Sequence, residues 1–339
     1  MTKLWLPFLL TLIGCGAVAL PRYGLWARWV QARRLTARFQ QEDVLKHILK
    51  YEAAGGRPTL DSIAGALEVR TSQAAILLQQ LEERALVTFE EGRLRLKAAG
   101  REMALHIVRA HRLWESYLAE QTGVAEREWH QRAERHEHLL TPSETDALAA
   151  KLGHPTHDPH GDVIPASQGE LAAEKGLPLH AIPESTPVVI THIEDEPGTI
   201  YAQLCAEGLR AGMRAFIIEK TPHRIRFWAD GNEHILAPVL ANNISAVVSP
   251  EYKLEDLAEE QFLSKLRPGQ SGKVLGLTSA CRGVERRRLL DLGFVAGTQV
   301  RVEMVSPAGD PTAYLVRGTV VALRREQANL IRVESALSA

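Results

Sequence analysis

Residues 59–97 read TLDSIAGALEVRTSQAAILLQQLEERALVTFEEGRLRLK, and this stretch decides the fold of the N-terminal half. Thr59 or Asp61 is placed to cap a short helix, and Thr71 or Ser72 a longer one that runs to Ala85. Two short runs, 87–89 and 93–96, flank the turn Glu-Glu-Gly and predict a hairpin. An apolar stripe at 44–51, ended by Gly-Gly-Arg-Pro, predicts a helix before them. Three helices followed by a hairpin are typical of a winged helix-turn-helix.

The surface that would read DNA has few polar groups. We expect the contacting side chains to come from the third helix and the wing strand: Ser72, Gln73, Gln79, Arg93 and Arg95. Residues 42–100 hold eight Lys and Arg against nine Asp and Glu. Phosphate binding needs clustered positive charge. DNA binding and a fold kept only for packing or dimerisation therefore both remain open.

Histidines are crowded into the next segment. Of the chain's thirteen, eight lie between positions 106 and 160. Two helices are predicted here, Glu102 to Ala119 and Glu128 to Leu140. His111 and Glu115 are spaced i, i+4 on the first, and the second carries His130, Glu134, Glu137 and His138 on one face. Imidazole and carboxylate ligands from two helices suit Mn²⁺, Fe²⁺ or Zn²⁺; the alternative is a solvated charged face.

Composition excludes several classes of protein. The 339 residues carry 40 Lys and Arg against 41 Asp and Glu, and 45% are hydrophobic. That balance excludes a collagenous or wholly disordered chain. Three distant cysteines offer neither a disulfide framework nor a cysteine zinc site. Because no nucleophile, phosphate loop or acid–base pair occurs outside the histidine segment, we do not expect an enzyme.

The N-terminus carries an uncharged apolar run from Leu4 to Leu20, followed by arginines at 22, 28, 33, 34 and 38. The positive-inside rule then predicts a single-pass anchor in the inner (cytoplasmic) membrane, with the bulk of the chain in the cytoplasm. Export, lipidation at Cys15 and a buried helix are the alternatives.

The C-terminal half contains an internal repeat. Gly208-Leu-Arg-Ala-Gly212 matches Gly293-Phe-Val-Ala-Gly297, and 240–244 echoes 327–331. Short alternating strands with glycine turns predict two small SH3-like β-barrels. The full prediction is an α+β multidomain chain: transmembrane anchor 1–38, winged helix 39–101, helical metal-binding and dimerisation domain 102–165, linker 166–182, and barrels at 183–250 and 260–335.

Three spaced motifs carry a family resemblance: HRLWESYL at 111–118, Glu134-x-x-Glu137-His138, and DPHGDVIP at 158–165. With the winged helix, they resemble the DtxR/MntR family of metal-dependent bacterial repressors over roughly residues 40–165. The second repeat resembles the FeoA family through Leu266-x-x-Gly269, RLLDLG at 288–293 and Gly309-Asp310-Pro311. FeoA-type domains occur with ferrous-iron transport proteins and also form the C-terminal domain of many DtxR-type regulators.

The resemblance implies two metal sites. Asp43, Glu134, Glu137 and His138 match the family's regulatory ligands, and His111, Glu115 and His130 match its ancillary site. Glu134 stands where iron-responsive members have cysteine, which resembles the manganese-responsive branch. Lys46 replaces a glutamate ligand of that branch, and Ala74-Ala75 replaces more polar residues of its recognition helix. One ion shared by Asp43 and the dimerisation domain would bias the chain toward a DNA-binding arrangement.

Two functions follow as hypotheses. The first is a dimeric, membrane-anchored DNA-binding transcriptional regulator that responds to Mn²⁺ or Fe²⁺. The second is a metal-sensing accessory protein of a ferrous-iron permease that does not bind DNA. The recognition helix has few polar side chains to contact bases, and this feature and the FeoA-like domain favour the second hypothesis.

Overall fold

The structure is a computed structural model that describes residues 25–90, 93–166, 171, 176–250, 261–278 and 280–335. The chain divides into two compact units. One unit holds residues 1–109 and 165–171, and the other holds residues 110–164 and 172–339.

The first unit is a winged helix. Its elements are α1 (Leu25–Ala53), α2 (Leu60–Ala66), α3 (Thr71–Glu83), β1 (Val87–Glu90) and β2 (Arg93–Leu96). The core is made by Leu45 and Ile48 of α1, Ile63 of α2 and Leu81 of α3, all fully buried. Burying these side chains is the main stabilising contribution to the unit.

The ends of these helices follow from local hydrogen bonds. Thr59 caps α2, because its hydroxyl accepts from the Ser62 backbone N–H at 3.0 Å and the Ser62 hydroxyl accepts from the Thr59 N–H at 2.9 Å. The N-cap of α3 is Arg70, which makes no side-chain cap hydrogen bond, so neither Thr71 nor Ser72 serves as the cap.

Three further helices follow the wing: α4 (Ala98–Gln121), α5 (Trp129–Glu137) and α6 (Pro142–Lys151). Helix α4 contributes residues 98–109 to the first unit and residues 110–121 to the second. Helix α5 ends three residues before the predicted Leu140, with His138 as its C-cap residue. Thr141 caps α6 through a capping box with Glu144.

The rest of the second unit consists of two six-stranded antiparallel sheets. The first contains β3 (Leu177–Pro178), β4 (Thr186–Ile193), β5 (Arg214–Lys220), β6 (Ile225–Ala229), β7 (Asn232–Leu236) and β8 (Ile244–Val248), with helices α7 (Gly198–Ala206) and α8 (Pro238–Ala241). The second contains β9 (Gln261–Phe262), β10 (Ser271–Leu277), β11 (Gln299–Val305), β12 (Thr312–Val316), β13 (Thr319–Leu323) and β14 (Ile331–Ser335), with α9 (Gly283–Asp291) and α10 (Arg325–Ala328).

The two sheets have the same topology. Their strand orders are β3-β8-β4-β5-β6-β7 and β9-β14-β10-β11-β12-β13. The registers also shift at equivalent places, after Ile190 and Val274 and again after Ile217 and Val302. The internal repeat therefore corresponds to two copies of one β fold, and the predicted α+β organisation is confirmed. The first sheet begins at Leu177, within the segment expected as a linker.

The predicted localisation as a single-pass membrane protein is corrected here. Across the described part of the chain, every helix is too short or too polar to cross a bilayer. The apolar run Leu4–Leu20, on which the prediction rested, lies outside the described residues. Helix α1 includes the basic segment 25–38 and continues without a break into the winged helix. Because polar and charged residues alternate with apolar ones along it, α1 does not extend the apolar run.

Candidate metal centre

Four ligand-type side chains meet in the second unit. His111 and Glu115 lie one turn apart on α4, His130 lies near the start of α5, and Asp195 lies in the loop after β4. One donor atom from each lies within 4.8 Å of the others. We call this group of His111, Glu115, His130 and Asp195 the histidine–carboxylate cluster.

The cluster is built on a buried helix face. The His111 Nε2 and Glu115 Oε1 atoms are 3.1 Å apart, as the i, i+4 spacing allows. The other nitrogen of His111, Nδ1, makes a short hydrogen bond with the Glu137 carboxylate of α5. Glu115 and Glu137 are each only 1% exposed, so both carboxylates need charged or polar partners.

The atoms around His130 are close without being aligned for hydrogen bonds. Its Nδ1 lies 2.7 Å from Asp195 Oδ2 and 3.5 Å from Glu115 Oε1. Yet among the described residues neither ring nitrogen of His130 has a partner with hydrogen-bond geometry. Carboxylate oxygens that lie this close to an imidazole without hydrogen-bond geometry fit an ion held between them.

The charged side chains of the cluster shift one another's pKa values. Burial would raise the pKa of Glu115, but the rings of His111, His160 and His130 hold it well below its usual range. Burial would lower the pKa of His130, but the carboxylates of Asp195, Glu115, Glu134 and Glu196 raise it strongly. Protons thus balance the negative charge, and a divalent cation would take over that role when it binds.

A tight loop presents His160 to the same cluster. Asp158 Oδ1 accepts from the backbone N–H groups of His160, Gly161 and Asp162 at 2.9, 3.0 and 2.9 Å. The loop packs on β4 so closely that a Cβ on Gly161 would overlap the Thr191 carbonyl oxygen. Burial, with Asp162 and Glu115 nearby, raises the pKa of Asp158 to about 7.

His160 itself faces the carboxylates. Its Nε2 lies 3.6 Å from Glu115 Oε1 and 3.9 Å from Asp195 Oδ2. Burial would lower the pKa of His160, but Glu115, Asp158 and Asp195 raise it to about 10.

The face predicted on α5 is divided in the structure. Glu137 and His138 are buried, whereas the Glu134 side chain is half-exposed. Glu134 instead lies beside His130 and Glu196. The His130 Nε2 atom is 3.5 Å from Glu134 Oε1 and 3.3 Å from Glu196 Oε1. Asp43 lies on α1 in the first unit and is half-buried.

The predicted DNA-contacting residues are all exposed. Ser72, Gln73 and Gln79 lie on the outer face of α3, and Arg93 and Arg95 lie on β2. Gln79 donates a hydrogen bond to Glu83 at 3.0 Å. Ile76, on the same outer face, is 56% exposed, which leaves an apolar patch between the glutamines.

The sequence analysis did not predict Asp195 or Glu196 as site residues, and it did not predict that His160 lies beside the cluster. The first two come from the sheet domain, about 65 residues beyond His130, so no helical spacing could connect them. The one available signal was the acidic run Glu194-Asp195-Glu196 directly before Pro197.

Comparison with known proteins places two parts of the chain. Residues 97–166 match the iron dependent repressor family, metal binding and dimerisation domain, and residues 262–335 match the FeoA domain. The iron-dependent repressor IdeR of Mycobacterium leprae (strain TN) is 26% identical over 211 residues, which are 58% of this chain and 91% of that protein.

Two other similar proteins match different fractions of this chain. A probable metal transport system membrane protein of Chlamydia trachomatis serovar D is 41% identical over 83 residues, 24% of this chain; the chain spans only 18% of that protein. A manganese-dependent transcriptional repressor solved in complex with manganese aligns with a TM-score of 0.55 and 27% identity, over 62% of this chain and 100% of that one.

The names of these relatives are those of repressors and a transport protein, which agrees with the prediction that the chain is not an enzyme. The metals in the names are iron and manganese, the two predicted here. The domain matches show that residues 97–166 are similar to the metal binding and dimerisation domain of iron-dependent repressors, and that residues 262–335 are similar to a FeoA domain.

Proposed function

We propose that the protein is a metal-dependent, DNA-binding transcriptional regulator of metal-ion homeostasis that acts as a homodimer. The observation that carries this proposal is the histidine–carboxylate cluster, which lies within and beside the matched metal-binding and dimerisation domain. The winged helix and its exposed α3 supply the element that would enter a major groove.

The cluster fits a divalent transition metal. Two imidazoles and two carboxylates, without thiolate, suit Mn²⁺ or Fe²⁺ and also accommodate Zn²⁺. The ion would supply positive charge that binds His111, Glu115, His130 and Asp195 together. Asp195 would thereby tie the first sheet to the helical domain, so metal would favour one arrangement of the second unit.

A second, regulatory ion is proposed from the family resemblance. Its ligands would be Asp43, Glu137 and His138, with Glu134 as the fourth. Support comes from the burial of Glu137 and His138. In the structure Glu134 lies beside His130, with its Oε1 3.5 Å from His130 Nε2.

Selection of bound DNA tests the function and needs no known operator. The full chain is mixed with random duplexes in Mn²⁺, in Fe²⁺ under anaerobic conditions, and in chelator, and the retained sequences are determined. We expect enrichment of a palindromic motif with either metal and none in chelator. Absence of enrichment under all three conditions would refute DNA-dependent regulation.

A matched pair of variants connects this result to the cluster. His130→Ala should lose the metal-dependent enrichment. His136→Ala removes an exposed histidine of the same helix, stacked on Trp114 outside the cluster, and should retain it.

The alternative function is a metal-sensing accessory protein of a ferrous-iron transporter. Its support is the FeoA match and the exposed Ala75 and Ile76 on α3, where polar side chains would read bases. Co-purification with a permease, together with no retained DNA in the selection, would favour this function. Enrichment of a palindromic motif would exclude it as the sole role.

A further inference from the structure

A cleft lies where the two sheets of the second unit meet. Phe262, at the end of β9, packs on the turn between β6 and β7, where a Cβ added to Gly231 would lie 2.8 Å from the Phe262 Cε2 atom. The cleft beside this contact has a volume of about 700 Å³, and both sheets contribute residues to its walls. A volume of this size is typical of sites that bind small molecules.

Three buried polar atoms belong to side chains that line this cleft. They are Trp228 Nε1, His234 Nδ1 and Thr278 Oγ1, and none of them has a hydrogen-bond partner among the described residues. His234 is 6% exposed and Thr278 is 3% exposed. Because a buried polar atom without a partner costs free energy, three such atoms around one cleft indicate that a polar ligand binds there.

Several groups of the cleft can donate hydrogen bonds. The Trp228 indole N–H can only donate, and the Thr278 hydroxyl can donate as well as accept. The Asn329 side-chain oxygen accepts a short hydrogen bond from the Ser264 hydroxyl, which leaves the Asn329 amide N–H groups to donate. Lys265 adds a positive charge to the same wall as Thr278 and Asn329. These groups are complementary to a carboxylate.

The other wall, which comes from the first sheet and its helix α7, carries acceptors. His234 Nε2 donates to the Ala229 carbonyl oxygen at 3.3 Å, so Nδ1 of the neutral ring is an acceptor. Glu207 Oε2 lies 3.5 Å from this Nδ1 atom. Asp230 contributes a second carboxylate to the wall. This wall therefore suits a positively charged donor such as an ammonium group.

The apolar surface of the cleft is largely aromatic. Trp228 lines it from the first sheet and Phe262 from the second, and both side chains are half-buried. Aromatic rings pack well against another flat ring. The cleft thus combines partners for a carboxylate, partners for an ammonium group and an aromatic surface.

We propose that this cleft binds a small zwitterion with an aromatic side chain, that is, a free aromatic amino acid. The carboxylate of the ligand would pair with Lys265 and accept from the Trp228 N–H. Its ammonium group would pair with Glu207, and its ring would pack on Phe262. The residues that line the cleft differ from those of the histidine–carboxylate cluster, so binding here does not require metal.

NMR titration of the full chain with L-phenylalanine, L-tyrosine and L-tryptophan tests the proposal. Phenylalaninamide, which lacks the carboxylate, and N-acetylphenylalanine, which lacks the ammonium group, are the comparison probes. At least one of the three amino acids should bind. Each capped probe should bind at least about tenfold more weakly than L-phenylalanine, because it leaves a charged wall of the cleft without a partner. Absence of binding by all three amino acids, or equal affinity for free and capped phenylalanine, would overturn the proposal.

Two variants connect this binding to the cleft. Trp228→Phe keeps an aromatic ring but removes the N–H, and should weaken binding of the amino acid by about fivefold. Trp114→Phe is the matched control and should bind as the wild type does. Trp114 Nε1 is also buried without a partner among the described residues, but its ring stacks on His136 in the helical domain.

Lys265→Gln changes an exposed side chain and separates loss of a contact from loss of folding. It should weaken binding of L-phenylalanine by about fivefold or more and leave binding of phenylalaninamide unchanged, because only the first ligand has a carboxylate for Lys265. Equal weakening for both ligands, or wild-type affinity in both Trp228→Phe and Lys265→Gln, would show that the ligand does not bind as proposed.

Discussion

Glu115 is the residue that joins the most ligands of the candidate metal centre. One oxygen, Oε1, lies 3.1 Å from His111 Nε2, 3.5 Å from His130 Nδ1 and 3.6 Å from His160 Nε2. A buried carboxylate surrounded by three imidazoles is a favourable position for a cation and an unfavourable one for a neutral amide.

The first prediction replaces this carboxylate. Glu115→Gln should lower Mn²⁺ affinity by more than about tenfold, since even outer-shell substitutions reach that size. Isothermal titration calorimetry measures the effect. Glu102→Gln, an exposed glutamate of the same helix, is the control and should bind as the wild type does. Equal affinities in the two variants would remove Glu115 from the site.

The second prediction concerns Gly161, which lets the His160 loop approach β4. Gly161→Ala should destabilise the protein by about 3 kcal/mol, because it adds a steric overlap to a strained backbone. Gly153→Ala is the control, since Gly153 also has a positive φ but a Cβ added there would meet no atom within 4 Å; it should cost about 1 kcal/mol. Denaturant unfolding measures both, and equal losses would show that the close approach is unimportant.

At the scale of elements, the proposed DNA recognition would involve two surfaces, the exposed face of α3 and the wing strand β2. From Thr71 to Gln80, helix α3 offers only uncharged side chains, which can distinguish bases but attract phosphate weakly. Strand β2 alternates exposed arginines with buried leucines, so its cations all face outward. Contacts to phosphate and contacts to bases should therefore be separable by mutation.

The third prediction uses that separation. Arg95→Ala should weaken binding to all duplexes alike and reduce the salt slope of binding by about one. Gln73→Ala should instead change sequence preference, by about 1–3 kcal/mol at one base pair. Fluorescence anisotropy over a salt series, on selected and scrambled duplexes, separates the two effects. If the two variants change DNA binding in the same way, Arg95 does not contact phosphate and Gln73 does not contact bases as proposed.

At the scale of the whole molecule, the candidate metal centre includes a residue of the first sheet, Asp195, which is distant in the sequence from the helical ligands. Asp195 follows a strand of the first sheet, and Arg282 opens a helix beside the second. Because Asp195 lies 2.7 Å from His130 of the helical domain, metal binding should stabilise the second unit as a whole.

The fourth prediction is a thermodynamic test of this linkage. Mn²⁺ at 100 times its dissociation constant should raise the free energy of unfolding of the second unit by about 2.7 kcal/mol. Asp195→Asn should lose most of that gain while unfolding like the wild type in chelator. Thermal unfolding followed by circular dichroism measures the shift. A shift unaffected by Asp195→Asn would place the ion elsewhere.

Local patterns in the sequence were enough to predict several parts of the molecule. Helical spacing brought His111 and Glu115 to one face, turn residues and alternation marked the hairpin, and repeated glycine motifs revealed two copies of one β fold. These features depend on interactions between residues close in the chain, or on the chain repeating itself, and so the sequence alone determines them.

Only the tertiary structure decided which side chains share a site. It moved Glu134 to the exposed edge beside Glu196, brought Asp195 to His130 across about 65 residues, and placed Arg282 on Pro159 across 123 residues. Such contacts form when domains pack against each other and bury their surfaces. They therefore cannot be predicted from the spacing of residues within one helix or strand. The chemistry of the ligands could be read from the sequence, and their grouping was set by the packing of the helical domain and the two sheets.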